Sequence, residues 1–329
     1  MVTNKKIFIT GGAGFIASHI IERLVENNKV VLYDNLKRDA LSFTAFSAHP
    51  NVTFIKGDVL DLDHLKDAMS GADICIHAAA IAGIYSVGNK ITHTMKVNLL
   101  GVYHALEAAV TNGVKRFIDF STSETYGPFV YLGHENEPAS IGPAHEKRWI
   151  YAVSKLAGEH FVHAYANDFG LNVVTVRPFN VYGPRQVGEG AIQQMASAAI
   201  KGEDITIYNE GTQIRSWCYV EDFARAFLSV MEKEEAIGEV FNIGNPQATT
   251  TVLGLAQSIL RLTGSSSKII FKPHPGPEVE VRIPDISKAR RLLGFKPSVD
   301  LDEGLSSSID WYKRNINKGK FWLHVLLDL

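Results

Sequence analysis

Cysteine is scarce: Cys75 and Cys218 are the only two among 329 residues. That excludes a disulfide-stapled scaffold, and the pair lacks any metal-site spacing. Both sit in apolar, strand-like stretches, which points to buried reduced thiols and to no metal. A surplus of either charge is missing too. Lys and Arg total 33 against 35 Asp and Glu, a formal net charge of −2, so bulk charge points to neither a nucleic-acid nor a membrane partner. No apolar run is long enough to span a bilayer. Met1-Val2-Thr3-Asn4-Lys5-Lys6 leads straight into a strand without the apolar stretch of a secretory signal, so a cytoplasmic protein is the expectation. Internal repeats and low-complexity linkers are also absent. The segment Phe321-Trp322-Leu323-His324-Val325-Leu326-Leu327-Asp328-Leu329 is unusually apolar. Docking on a neighbour, pairing with another chain and a cloning remnant all fit it.

What is present is alternation. Short apolar runs lie at 6–10, 30–34, 52–55, 74–77, 117–121 and 173–176. Helical patterns cover 15–26, roughly 92–112 and roughly 148–168. Strands separated by helix-length segments predict βαβ units, hence an α/β fold with a doubly wound parallel Rossmann sheet. After about residue 180 the segments shorten and gain Gly, Pro and charge. Residues 1–180 read as a dinucleotide-binding domain, with a returning strand near 239–244. Residues 181–329 read as a smaller C-terminal α/β substrate lobe.

The turn Gly11-Gly12-Ala13-Gly14-Phe15-Ile16-Ala17 follows a strand and opens a helix. That context gives a glycine pattern its meaning. Gly11 permits the tight turn, Gly14 lets backbone approach a pyrophosphate, and the helix N-terminus offers free N–H groups. Asp34 ends the next strand about 20 residues further on, placed to accept from ribose hydroxyls. A carboxylate there favours NAD over NADP, a preference weakened slightly by Lys37 and Arg38. Asp58 follows the third strand, and Ala78, Ala79 and Ala80 follow the fourth, where ligands bind in open parallel sheets.

Tyr151 and Lys155 stand four apart on a predicted helix, so on one face. An ammonium and an oxidised nicotinamide nearby favour phenolate, making Tyr151 a candidate base for a sugar hydroxyl. Thr122 and Ser123 offer hydroxyls at a strand's carboxyl end, and Glu124 a carboxylate. A regulatory protein that binds NAD without catalysis would keep the glycine turn and lose these groups; all are present here.

These residues, with Arg177-Pro178-Phe179-Asn180-Val181-Tyr182-Gly183-Pro184-Arg185, Gln213-Ile214-Arg215-Ser216-Trp217-Cys218-Tyr219-Val220-Glu221-Asp222 and Arg282-Ile283-Pro284-Asp285, make the chain resemble the extended short-chain dehydrogenase/reductases. The likeness is to their NAD-dependent epimerase/dehydratase group, which acts on nucleotide sugars, and it covers nearly the whole chain. The resemblance implies NAD as cofactor and Thr122, Tyr151 and Lys155 as the Ser/Thr–Tyr–Lys set. It implies a cofactor site of Gly11, Gly14, Phe15, Ile16, Asp34, Asn35, Asp58, Val59, Ala78, Ala79, Ala80, Asn98, Tyr151, Lys155 and Pro178. Asn180, Arg185, Tyr208, Arg215 and Arg282 fall on the substrate side. It also implies a homodimer, with the helices at 92–112 and 148–168 pairing across a two-fold axis.

Such enzymes oxidise a sugar carbon, usually C4, and differ in the fate of the resulting keto sugar. Thr122-Ser123-Glu124, Arg148-Trp149-Ile150-Tyr151 and Ser216 after Arg215 resemble UDP-glucuronate decarboxylases. Ser123 is neutral where glucose dehydratases carry an acid, and a second negative side chain would repel a C6 carboxylate. Glu124 is itself anionic unless burial raises its pKa. Gln213-Ile214-Arg215 also resembles dTDP-glucose dehydratases. The sequence favours UDP-glucuronate decarboxylation, with 4,6-dehydration and 4-epimerisation as alternatives.

Overall fold

The computed structural model describes residues 2–274 and 276–317. The apolar segment 321–329 lies outside the described residues.

The first half winds as expected: β1 (Lys6–Thr10), α1 (Phe15–Leu24), β2 (Lys29–Asp34), β3 (Val52–Lys56), α2 (Leu62–Ala68), β4 (Ile74–His77), α3 (Ile84–Asn89), α4 (Ile91–Met95), α5 (Gly101–Thr111) and β5 (Arg116–Phe120). A strand that the sequence did not reveal, β6 (Phe129–Gly133), comes next, then α6 (Ile150–Phe169) and β7 (Val173–Pro178). The second half holds β8 (Val181–Tyr182), α7 (Ala191–Lys201), β9 (Ile205–Tyr208), β10 (Ile214–Ser216), β11 (Cys218–Tyr219), α8 (Val220–Glu232) and β12 (Val240–Ile243). It closes with β13 (Thr249–Thr251), α9 (Val252–Thr263), β14 (Ile269–Lys272), β15 (Val281–Pro284) and α10 (Leu301–Asn315).

Seven strands form one parallel sheet in the order β12-β7-β5-β4-β1-β2-β3. The chain reverses its winding between β1 and β4, and a crevice opens at the carboxyl ends of strands at such a point. Strand alternation explains the two buried layers. Ile7 and Ile9 face α1 and α8, while Phe8 faces α2, α5 and α6. Each such buried side chain contributes about 1.5–3 kcal/mol.

β12 joins this sheet beside β7, so the sheet draws a strand from beyond residue 180. A second sheet, β13-β10-β15-β6, draws β6 from before it. β9, α7, α9 and α10 bury their own apolar layer around Ile192, Ile205, Leu255 and Ile309.

The helical stretch at 91–111 is continuous but not uniform. Residues Lys96–Leu100 form a π-helical turn between α4 and α5. π-turns of this kind frequently mark functional sites. This one carries Asn98.

Candidate active site

The glycine turn sits where β1 meets α1. Gly11 has φ +70°, and a Cβ there would lie 2.7 Å from the backbone nitrogen of Ala79. Only glycine lets the turn rest against the chain leaving β4. Asp34 accepts hydrogen bonds from the backbone N–H groups of Ala13, at 3.0 Å, and Leu36, at 2.7 Å. Its carboxylate thereby ties the turn to the end of β2. Burial raises its pKa, and these two N–H groups oppose the rise.

In front of the turn is a cavity of about 380 Å³. Gly11, Gly14, Phe15, Ile16, Asp34, Asn35, Asp58, Val59, Ala78, Ala79, Ala80, Thr122, Tyr151 and Pro178 all line it. Its backbone-walled, small-residue floor suits a pyrophosphate, and the unfilled N-terminus of α1 faces it. Two residues expected at the cofactor stand behind the wall instead. Asn98 accepts from Ile81 N at 2.8 Å and donates to Ile81 O at 3.0 Å and to Ser154 Oγ at 3.1 Å. It fastens the loop after β4 to α6. Lys155 is buried, with its ammonium 3.8 Å from Asp119 Oδ1.

Three loops meet at the cavity rim. The Glu189 carboxylate accepts from Tyr85 N at 2.8 Å, Ser86 N at 3.0 Å, the Ser86 hydroxyl and Arg38 at 3.1 Å. Arg38 also donates to Ala82 O at 2.7 Å. Arg38 is thus engaged with Glu189, which limits its freedom to attract a 2′-phosphate beside Asp34.

At the far end, Thr122 and Tyr151 line the cavity together, and the Thr122 hydroxyl favours the ionised form of the phenol. The sequence points to a phenolate favoured jointly by Lys155 and an oxidised nicotinamide. Among the chain's own groups the balance runs the other way: burial, Glu124 and Asp119 together push the Tyr151 pKa up to about 12. The reason is local. Asp119, one strand residue behind, faces the ammonium that was expected to serve Tyr151.

Past Thr122 the chain turns through a short helix, Ser123–Tyr126, that carries Glu124. One oxygen of Glu124 takes a hydrogen bond from Arg282 and the other an ion pair from Arg148 at 2.7 Å. Burial disfavours its charge, but Arg282 and Arg148 outweigh burial and hold the carboxyl at about 2. Arg282 also donates to Gly127 O and is 1% exposed. Arg215 lies directly beside it, because β10 and β15 pair Arg215 with Arg282. Desolvation, then Arg282, lowers Arg215 to about 10. Like charges opposite one another on neighbouring strands destabilise a sheet. Three guanidiniums around one carboxylate make a site of net positive charge that suits a phosphate or carboxylate ligand.

The remaining residues expected at the substrate scatter. Asn180 donates to Ser216 O at 2.9 Å, stitching β7 to β10. The Tyr208 hydroxyl lies 2.9 Å from that of Tyr85, at the rim. Arg185 is ion-paired to Glu22 of α1 at 2.7 Å, and the structure does not bring it to the Arg148–Arg215–Arg282 group. Sequence reasoning named Arg148 only as part of a motif and missed Asp119 and Glu189. The signal for Asp119 was available: an acid inside the apolar run Phe117-Ile118-Asp119-Phe120.

Residues 7–244 match the model of the NAD-dependent epimerase/dehydratase family. The chain is 34% identical to the UDP-N-acetyl-α-D-glucosaminuronate decarboxylase of Bacillus cytotoxicus, over 94% of this chain and 98% of that protein. It is 33% identical to the dTDP-D-glucose 4,6-dehydratase of Mus musculus, over 96% of this chain and 91% of that one. Among solved structures it resembles UDP-glucuronic acid 4-epimerase from Bacillus cereus, in complex with UDP-glucuronic acid and NAD. The TM-score is 0.86 and the identity 30%, over 94% of this chain and 99% of that chain.

Proposed function

Because this chain belongs to the NAD-dependent epimerase/dehydratase family, we propose that it oxidises a UDP-linked uronic acid at C4 and then decarboxylates it. The observation that carries this reading is Glu124, held ionised between Arg148 and Arg282, whose two positive charges outweigh the repulsion Glu124 alone would exert on a C6 carboxylate. A 4,6-dehydratase needs a base for the C5 proton. A carboxylate with a pKa of about 2 is a weak one, because a general base works best with a pKa near the working pH. Ser123 beside it supplies no acid for a C6 hydroxyl. Decarboxylation asks neither task of them. Once C4 is a ketone, the C6 carboxylate is β to it. The C5–C6 bond breaks, its electron pair becomes an enolate, and carbon dioxide leaves; C5 then takes a proton from water, and return of the hydride and a proton to C4 completes the pentose.

The residues lining the cavity fit NAD, with Gly11 and Gly14 at the pyrophosphate and Asp34 and Asn35 at the adenosine ribose. Bound NAD supplies the hydride acceptor and a positive charge near Tyr151. Tyr151 takes the C4 hydroxyl proton as hydride leaves the same carbon. Thr122 orients the phenol, and both hydroxyls then donate to the developing C4 oxyanion. Arg215 and Arg282 face the diphosphate. That a relative in Bacillus cytotoxicus is a decarboxylase of a UDP-linked uronic acid supports the choice of substrate class.

Purified protein given NAD and either UDP-glucuronate or UDP-N-acetylglucosaminuronate is expected to release carbon dioxide. Mass spectrometry should then show a nucleotide pentose. An unchanged mass with an inverted C4 would replace this reading with 4-epimerisation, the activity named for the Bacillus cereus structure. Loss of water from a UDP- or dTDP-hexose would replace it with dehydration.

The homodimer is part of the same proposal. Leu100 just before α5 and Val153, Phe161 and Phe169 on α6 are exposed apolar side chains, and Tyr103 of α5 packs its ring 5.8 Å from Phe161. Phe161→Glu is expected to halve the mass measured by light scattering. A parent protein that is already monomeric would remove the dimer from the proposal.

A further inference from the structure

A polar row crosses the middle of the parallel sheet. Register places Thr10 of β1 beside His77 of β4, His77 beside Asp119 of β5, and Asp119 beside Thr175 of β7. All four are 0% exposed. Thr10 Oγ1 lies 2.8 Å from His77 Nδ1. Beyond that contact, His77 Nε2, both Asp119 oxygens and Thr175 Oγ1 have no hydrogen-bond partner among the described residues. Buried polar atoms are nearly always partnered, so four orphans in one row need a reason. At the row's centre stands the ion pair of Asp119 with Lys155.

The helix above the row explains which charges are free. Tyr151, Lys155 and Glu159 follow one another at i, i+4 and i+8 along α6. Glu159 is fully engaged: Arg177 of β7 donates to both its oxygens, at 2.8 and 2.6 Å, and Ser121 donates to one. Asp119 is countered only by Lys155, at a distance too long for a hydrogen bond. The groups that face Asp119 are therefore Tyr151, Lys155 and Glu159 from α6 and Cys75 and His77 from β4. Burial, then Lys155, holds His77 neutral at about 3, and burial, then Asp119, pushes the Cys75 thiol up. Neither supplies charge.

We propose that Asp119 is a positioning residue for the proton transfer at Tyr151: its carboxylate competes for the Lys155 ammonium, so that one buried charge behind the sheet sets how readily the phenol ionises. This rests on the reading above, in which Tyr151 takes the sugar hydroxyl's proton. The sign is dictated by charge alone. Ionised Asp119 opposes a phenolate and draws the ammonium away from it; neutral Asp119 does neither. Burial raises the Asp119 carboxyl to about 6, with Lys155 opposing and Glu159 reinforcing the rise, so the brake is on at neutral pH and released below about 6.

The test uses the NAD-loaded protein with Asp119→Asn, which removes the charge at nearly constant shape. Asp119→Thr, matching the row's own threonines, is a second route should the amide fail to fold. Phenolate absorbance of Tyr151 is taken as the difference between each protein and its Tyr151→Phe counterpart. Its midpoint is expected to fall by roughly one to three pH units, the scale of one charge about 12 to 4 Å away at an effective dielectric near 20. The acid limb of the kcat profile should move with it. Parent and variant should converge below about pH 6, where the parent's Asp119 is itself protonated. Unmoved midpoints in a variant that melts and binds NAD normally would overturn the proposal. Full turnover by Tyr151→Phe would instead overturn the reading on which it rests.

Discussion

Tyr151→Phe is expected to lower turnover by about 10²–10⁴-fold, the usual worth of a positioned acid–base group, while NAD binding survives. The separation comes from where the hydroxyl points. The phenyl ring helps wall the cavity, and phenylalanine keeps that wall. Only the oxygen that meets Thr122 is lost. Its loss removes the one group in the cavity placed to accept a hydroxyl proton and later to donate to an oxyanion. NAD titration by fluorescence and turnover on a nucleotide-sugar panel are the two measurements. Equal loss in both would mean that the hydroxyl serves NAD binding rather than proton transfer. Unchanged turnover would remove Tyr151 from its role.

Arg282→Met should cost about 3–5 kcal/mol of stability, the range for removing one partner of a buried ion pair. Arg282 is among the largest fully buried side chains of the chain. Without it Gly127 O and one oxygen of Glu124 lose their donor, and Arg148 alone faces the carboxylate. Adding Glu124→Gln should recover part of the loss, since the orphaned charge goes with it. Urea unfolding of both variants decides this; a double variant no better than the single would show that the loss is packing rather than charge. The pH dependence has a definite sign. Glu124 is depressed to about 2 from an ordinary 4.5, so its contribution is full above the ordinary value and fades as pH falls toward 2. In Arg282→Met the folded-state value of Glu124 moves up toward the ordinary one, so that acid fading should be smaller and end at higher pH.

The Rossmann half was legible because its signals are local. A buried parallel strand is a continuous apolar run, and the glycine turn, Asp34 and the strand-end alanines sit within or beside such runs. The substrate side was less legible because pairing across long separations builds it. Nothing near Arg282 announces Glu124, 158 residues earlier; only the β6–β15 and β10–β15 pairings bring the arginines together. β6 itself escaped notice since Phe129, Tyr131 and Leu132 are exposed on a short edge strand, which lacks the buried-strand pattern. Arg185 was misjudged for a related reason. Its place in a phosphate-like motif suggested the diphosphate, but its left-handed backbone, φ +67°, and Glu22 set it against α1. Lys155 follows from its spacing to Tyr151 and Asn98 from the resemblance, yet spacing gives a face and not a depth. The depth of Lys155 is what couples it to Asp119.

The interlaced sheets bear on where such a chain can accept insertions. The chain departs from the carboxyl edge of the large sheet twice, after β7 at Pro178 and after β12 at Ile243, and these strands are neighbours. Between the departures, α8 carries the chain back to begin β12. The second sheet's material thus enters as two grafts planted side by side, while the crossover that completes the large sheet stays outside both. Changes within the grafts leave the strand order of the large sheet in place. β6 is the exception: this third contributor follows the short helix that Thr122 caps at the end of β5, and it lies beside β15. Insertions at the two grafts are therefore accommodated without reordering the large sheet, whereas a change around β6 reaches both the end of β5 and β15.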